Sequence, residues 1–413
     1  MALTKLDPSV IGQDSTGAGK ITSAGGSLSI DSAGNVKIAN NTANTIAITS
    51  TGVLTFSDAS TQTTAASGFG FKNRIINGAM VIDQRNAGAA VAYGSTTVAG
   101  NYYGYNIDRW WAQSYSTAAG NGAAFTIQQS SVAPAGFASS MAATVTSAQA
   151  TLQNDSLYRI QQIIEGYNVA DLGWGTSSAS SATLSFWVRS SLTGTFTGVV
   201  SNDVDYSYSF TYTITSSNVW QYVSVTIPGA TAGTWPKTTG KGMLLVWCLG
   251  AYSTRLNTAN TWTASASYQG AVGQTNLMAT VGSTFYITGV QLEKGSTATS
   301  FDYRPYGQEL NLCMRYYQIA SSSGAMVGTH GYVPSSGVVY RLGYEFPVYM
   351  RATPTVTLGV YVWDGSAVVG SLAFSSNYTN YQRMDGDYTC AAGLTTGRYA
   401  KMYNGNLTFN AEM

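Results

Sequence analysis

The sequence predicts an all-β protein in three consecutive parts. These are a rod of β-hairpins over residues 1–70, a β-sandwich over 71–304, and a smaller sandwich over 305–413 that opens with a short helix. Three observations lead there. Short segments alternating apolar and polar residues recur along the chain, bounded by Gly, Asn and Ser turns. The 45 Gly and 28 Tyr, with abundant Thr, suit tight turns and pleated surfaces. No regular alternation of strand and helix runs along the chain, so a doubly wound parallel sheet is not expected.

Residues 1–70 stand apart in composition, with Phe56 and Phe69 their only aromatic residues. Two related units, LSIDSAGNVKI (28–38) and IAITSTGVLTF (46–56), each read as a strand, a glycine-containing turn and a second alternating strand. Their apolar positions are Leu28, Ile30, Val36, Ile38, Ile46, Ile48, Leu54 and Phe56, a periodicity that a disordered Ser/Thr/Asn linker would lack. Isolated hairpins cannot bury a core of their own. The pattern therefore suits a rod in which several chains supply the missing neighbours. DSTGAGKITS and DASTQTTAASG read as flexible joints on either side.

The middle part carries seven clear strands: FTIQQSS, TLSFWVRSS, TFTGVVSND, YSYSFTYTITSS, WQYVSVTIPG, GMLLVWCLG and TFYITGVQLE. Seven or more short strands at this spacing make a sandwich or a barrel. Within LSFWVRSS, Leu184, Phe186 and Val188 point to the core and Ser185, Trp187 and Arg189 to the other face. Trp110 and Trp111 point to opposite faces for the same reason, so at most one is core. Cys248 reads as a small buried residue of a core strand. In LYRIQQIIEGYNVADLGW a strand leads to a short turn or helix around Val169 and Leu172.

In the last part a helix is expected from Gln308 to about Ile319, with Leu310, Cys313, Met314 and Tyr317 on one face at i, i+3, i+4 and i+7. Ahead of it Pro305 pins the backbone, and Asp302 and Arg304 are placed to pair across the turn. Strands VVYRLGYEFPV, TPTVTLGVYVWDG and NLTFNAEM follow. They read as a small sandwich that trimerises or packs on the preceding part.

Composition excludes several functions. Charged residues are 9% of the chain, against about a quarter in an ordinary soluble protein, and the net charge is +1 with no basic run. Nucleic acid is therefore not an expected partner. Cys248, Cys313 and Cys390 have neither metal-ligand spacing nor a disulfide pattern. MALTKLDPSV lacks the apolar core of a signal peptide, and no segment approaches the ~18 apolar residues of a membrane span. Synthesis in a cytoplasm without membrane insertion is the expectation.

Catalytic signatures are weak. Nucleophilic catalysis needs a histidine held by a carboxylate, and the single His330, in VGTHGYV, reads as a surface-loop residue. Glycoside hydrolysis needs two carboxylates roughly 5–10 Å apart across a bond. The closest pairs in sequence, Asp203 with Asp205 and Asp385 with Asp387, read as solvated turns, with a calcium-type cluster the next reading. No catalytic residue, metal site or cofactor is expected, and the chain is read as a non-enzyme. Sugar recognition is better served, because it asks for aromatic rings and amide, carboxylate or guanidinium groups on loops. Tyr361, Trp363, Tyr378, Tyr381, Arg383 and Tyr388 form the candidate cluster, in VYVWDG and SSNYTNYQRMDGDY. The latter stretch reads as loop rather than strand.

Seven motifs occur in order: NRIINGAMVIDQRNAG (73–88), NIDRWWA (106–112), RIQQIIEG (159–166), LSFWVRSSLTGTF (184–196), WQYVSVTIPGATAGTW (220–235), YITGVQLEKGSTATSFDYRPYGQELNLCMRYYQ (286–318) and FPVYMRATPTVTL (346–358). Together they resemble a family of bacteriophage tail fibre proteins. The resemblance implies a central jelly-roll β-sandwich similar to carbohydrate-binding modules, followed by a receptor-binding tip. It implies a homotrimeric virion protein, made in the host cytoplasm, that adsorbs to a host surface glycan or protein receptor. The amino-terminal end would dock on a tail adaptor, nozzle or baseplate protein, through Leu6, Pro8, Val10 and Ile11 of MALTKLDPSVIGQ. The alternatives are a glycan-depolymerising tailspike enzyme, or a head fibre or capsid decoration protein.

Overall fold

The computed structural model describes residues 72–413 apart from 96–98, 118–121, 154, 326–329 and 371, together with seven strands between residues 12 and 62. The chain divides into two compact units, Met1–Phe71 and Lys72–Met413. The structure is nearly all β, as expected.

In the first unit the strands Gly12–Gln13, Gly19–Ser23, Gly26–Ile30, Val36–Asn40, Thr45–Ile48, Leu54–Thr55 and Thr61–Gln62 form one antiparallel meander in sequence order. The register sets Leu28 against Ile38, Ile30 against Val36, Ile38 against Ile46 and Ile48 against Leu54. The two repeated units are thus joined in a single ladder. Both stretches read as joints contribute a strand to it, Gly19–Ser23 and Thr61–Gln62. Phe56 and the proposed docking residues Leu6, Pro8, Val10 and Ile11 lie outside the described residues.

The second unit begins with a two-sheet sandwich. One sheet runs, in spatial order, Thr261–Thr263, Ser207–Ile214, Gly194–Ser201, Lys241–Ala251, Leu157–Glu165, Trp110–Ser116, Gly100–Tyr105. The facing sheet runs Gln221–Ile227, Ala182–Ser190, Thr284–Lys294, Ser140–Ser147, Ala124–Ser130, Val91–Tyr93. All these pairings are antiparallel. The period-two expectations hold: Leu184, Phe186 and Val188 are fully buried, and so is Trp110 but not Trp111. Trp247 fills the centre, its ring 5.6 Å from both Trp110 and Phe186. Each such side chain removed from water contributes about 1.5–3 kcal/mol. Cys248 is buried on the opposite face of its strand, beside Leu157 and Ala251. Two single-turn helices, Gly166–Asn168 and Ala170–Leu172, follow the strand Leu157–Glu165.

The motif around residues 73–88 wraps the sandwich without forming a strand of its own. Asn77 takes a positive φ of 59° and binds back on the chain, donating from Nδ2 to the carbonyls of Ile82 (2.8 Å) and Asp108 (3.0 Å). Its own carbonyl accepts the Trp110 indole N–H at 3.0 Å. Arg304 does more than pair with Asp302, which lies 3.9 Å away. It also donates to the carbonyls of Asn73 and Ile75 and reaches Glu309 at 3.3 Å.

The helix is shorter than the spacing predicts, Tyr306–Met314. Cys313 is buried as expected, but Tyr317 has left the helix to open the strand Tyr317–Ala325, where it pairs with Asn410. A distant sheet partner outcompetes helix propagation, which gains one hydrogen bond per residue.

The distal sandwich has its own core, including Val339, Leu342, Val360, Val362, Met384, Tyr388, Met402 and Phe409. Gly331–Ser335, Val338–Glu345, Arg383–Thr389 and Ala373–Asn377 lie side by side, and Val368–Val369 and Tyr317–Ala325 flank the pair Thr355–Trp363 and Tyr399–Asn410. The long strand Tyr399–Asn410 serves both sets. Tyr399 and Ala400 pair with Tyr332 and Gly331, whereas Lys401 to Asn410 pair with Thr355–Trp363. Arg383–Thr389 is a strand, which corrects the reading of this stretch as loop.

Buried charges join the two sandwiches. Glu165 accepts from Arg315 Nη2 at 2.8 Å and from the Tyr316 hydroxyl at 2.7 Å. Glu412 pairs with Arg109 and, at 3.1 Å, with Arg85. Arg351 donates to the carbonyls of Ala411, Glu412 and Thr239 at 2.8–3.0 Å.

Asp108, beneath this junction, gives a pH prediction. Burial pushes its carboxyl from 3.8 up to about 6, against the opposing hydrogen bond from Gln84 and the charge of Arg85. A folded value above the unfolded one means the folded state holds the proton more tightly. The contribution is complete below about pH 4 and is lost as pH rises through 6, a span on the order of 3 kcal/mol. Asp108→Asn is expected to flatten the decline in urea midpoint between pH 4 and 7. An identical pH profile for the variant would contradict this.

Candidate functional site

The strands Val338–Glu345 and Arg383–Thr389 pair antiparallel, with Glu345 opposite Arg383 at the point where both leave the sheet. Two loops leave there together. In the first, Phe346 turns into the core, its ring 4.7 Å from Phe409, while Tyr349 projects into solvent. The second is NYTNYQ, 377–382, in which each Asn folds the chain through its own side chain. Asn377 Oδ1 accepts the Thr379 N–H at 2.9 Å, and Asn380 Oδ1 accepts the Gln382 N–H at 2.8 Å and the Arg383 N–H at 3.1 Å. Such turns expose the residue that follows the Asn. Here those residues are Tyr378 and Tyr381.

Backbone bonds lock the loops together. The Phe346 N–H donates to the Gln382 carbonyl at 3.1 Å, and the Met350 N–H to that of Tyr381 at 2.8 Å. Between the loops lies a depression of about 380 Å3 lined by Glu345, Phe346, Tyr349, Asn380, Gln382 and Arg383. The Tyr349 and Tyr381 rings stand 6.3 Å apart at 81°. Arg383 is held by Asp385 at 3.1 Å, which aims its guanidinium. The arrangement presents aromatic faces for stacking and amide, carboxylate and guanidinium groups for hydroxyls.

The sequence-predicted residues divide. Arg383 lines the depression, Tyr381 adjoins it through its ring contact with the lining Tyr349, and Tyr378 lies under the Arg341 guanidinium, 4.6 Å from the ring centroid. Tyr361 and Trp363 sit on the other set of strands, where Lys401 covers Trp363 at 4.6 Å and Tyr403 packs at 5.8 Å. Tyr388 does not belong to the cluster. It is fully buried in the distal core, with its ring 4.7 Å from Phe374, because its strand turns alternate residues inward. Glu345, Tyr349, Asn380 and Gln382 were not among the expected residues. The tandem Asn–Tyr pairs of NYTNYQ are a local signal that could have marked Asn380 in the second loop.

Other polar clusters are occupied by the fold. Asp203 pairs with Lys241 at 3.0 Å, Asp205 accepts from Asn202 and from the Thr234 N–H, and Asp387 accepts the Arg341 N–H. No group of three or more His, Cys, Asp or Glu side chains suited to a metal occurs among the described residues. His330 is exposed. On the outer face of the first sheet the chain covers itself: Arg159 bonds Gln113 and Gln269, and Gln274 contacts Cys248 and Thr197. A second depression, about 240 Å3, lies beside Phe137, Phe301 and Tyr303, whose rings pack mainly on one another at 4.9–5.5 Å.

No family model and no curated protein matches the chain. Solved structures show distant likenesses. A putative sugar binding protein from Bacteroides thetaiotaomicron is 12% identical with a TM-score of 0.30, over 54% of this chain and 100% of that one. A family 11 carbohydrate-binding module from Clostridium thermocellum is 11% identical with a TM-score of 0.25, over 49% of this chain and 100% of that one. The enzymatically active domain of tailspike protein 4 of bacteriophage CBA120 is 11% identical with a TM-score of 0.25, over 54% of this chain and 21% of that one. This chain thus matches about a fifth of that tailspike's length. At such scores none of them says what this chain binds. The likeness to phage tail fibres rests on the ordered motifs.

Proposed function

We propose that the chain is a tail fibre protein whose distal sandwich adsorbs the virion to a host-surface glycan, held without chemistry in the depression lined by Tyr349, whose ring Tyr381 adjoins. The observation that carries this is the pairing of two exposed, nearly perpendicular rings with Asn380, Gln382, Arg383 and Glu345 on two loops pinned by backbone bonds. Sugar rings have apolar faces and a hydroxyl rim, and this surface offers a partner to each. Pinned loops lose little entropy on binding. Cleavage of a glycan would ask for two opposed carboxylates. Glu345 is the lining carboxylate, and Asp385 is already engaged with Arg383. Placement on a tail, through a homotrimer docked at its amino-terminal end, follows from the motif resemblance. Several copies of a weak site then give stable attachment.

Tyr349→Ala and Tyr381→Ala are each expected to weaken retention on host envelope polysaccharide about tenfold or more, an effect of about 1.4 kcal/mol. Trp363→Ala, away from the depression, should leave it unchanged. Calorimetry and competition with virion adsorption read the effect. Unaltered binding by both tyrosine variants, or release of reducing ends by the wild-type chain, would reject the proposal.

A further inference from the structure

We infer that the glycan site is a track, not a single pocket: a linear glycan chain held in the depression continues across the outer face of the same sheet onto a row of three tyrosines. This rests on the glycan reading above. The row is Tyr399, Tyr332 and Tyr340. Tyr332 is the register partner of both Tyr399 and Tyr340, so all three side chains leave the same face of three adjacent strands. They are 68%, 45% and 46% exposed. The Tyr332 and Tyr399 rings lie 6.3 Å apart. Strand spacing of about 4.8 Å sets the rings at intervals along a line of about 10 Å, a spacing on which successive sugar rings can each find a face.

The row connects to the depression through contacts. Tyr340 is followed by Arg341, which takes a positive φ of 59° at an irregularity of the ladder and lies over Tyr378. The Tyr378 N–H donates to the Asp385 carbonyl at 2.9 Å, and Asp385 holds Arg383 of the depression. Along the strand, Tyr340 and Glu345 are at most about 16 Å apart at ~3.3 Å per residue. A side chain exposed this far gains little by packing on its own fold. Three in register, on a sheet whose strand Val338–Glu345 runs from Tyr340 to Glu345 of the depression, provide an extended stacking platform.

The test uses the full chain and the host envelope polysaccharide, hydrolysed partially and separated by length. Affinity is expected to rise at least tenfold from the shortest retained fragment to longer ones. Tyr332→Ala and Tyr399→Ala should abolish that rise and leave the shortest fragment's affinity intact, whereas Tyr349→Ala weakens every length. Tyr332→Phe and Tyr399→Phe should keep the rise, because a phenyl ring still stacks. A length gain that survives both alanine variants overturns the track, as does affinity independent of length while Tyr349→Ala still matters. A fall in oligomeric mass by light scattering in the alanine variants, with the length gain intact, overturns it too and makes the row a subunit contact. Failure of the wild-type chain to retain any fragment rejects the underlying glycan reading itself.

Discussion

Glu412→Ala is expected to destabilise the unit 72–413 by about 3–5 kcal/mol, the cost of stranding a buried charge by removing its partner. Glu412 is 4% exposed and faces Arg109, whose side chain is 1% exposed, and Arg85, 11% exposed. Without the carboxylate, Arg109 keeps the face of the Tyr316 ring, 3.5 Å from its centroid, and the Ile163 carbonyl, but loses its counter-charge. The backbone around residue 412 should persist, because Arg351 binds the carbonyls of Ala411 and Glu412 and the Tyr105 hydroxyl binds that of Met413. The variant should therefore fold with a Tm lower by on the order of 10 °C. Glu412→Gln, which restores acceptors without charge, should fall between. Differential scanning calorimetry reads both, and a Tm within about 2 °C of wild type for Glu412→Ala would mean that water replaces the carboxylate at no cost.

Gly405→Ala is expected to be more severe still and confined in origin to the distal sandwich. Gly405 has φ +111° inside the strand shared by both sets, beside a ladder irregularity at Val360 and Tyr361. A Cβ there would lie 2.1 Å from the Gly359 carbonyl oxygen and 3.1 Å from its carbon. Both are backbone atoms of the paired strand and cannot move aside as a side chain would. Gly397→Ala separates the two causes of damage. Gly397 also has positive φ, +84°, but has open space around its Cβ direction. That variant should cost only the conformational penalty, about 1–2 kcal/mol. Gly405→Ala should exceed about 4 kcal/mol and abolish glycan retention, because the same strand supports the core beneath the depression. Equal stability of the two variants in urea titration would show that the ladder widens to admit a methyl group.

Much of the fold was legible because side-chain alternation along a strand is a local property. Leu184, Phe186 and Val188 inward against Trp187 and Arg189, or Trp110 against Trp111, follow from period two alone. So do the apolar positions Leu28, Ile30, Val36, Ile38, Ile46, Ile48 and Leu54, which the meander sets opposite one another. Local chemistry reached part of the candidate site as well, since Asn377 and Asn380 make turns with their own side chains and leave Tyr378 and Tyr381 exposed.

Where the sequence reading went astray, a distant partner had decided the outcome. Helical spacing carried the helix through Tyr317, but Asn410 claims that residue for a sheet. Tyr388 sits in a Gly- and Asp-rich stretch that looks like loop, and only its neighbours Val339 and Phe374 make it core. Tyr349 gives no sign in FPVY that it will face Tyr381, and Tyr332, Tyr340 and Tyr399 become a row only through register. The sequence by itself determined the all-β class and which face of most central strands is apolar, because each depends on residues within one strand or turn. Tertiary structure alone decided which tyrosines are buried, which stand exposed together and which charges are paired between sandwiches, because the folded chain joins residues that chain proximity never brings together.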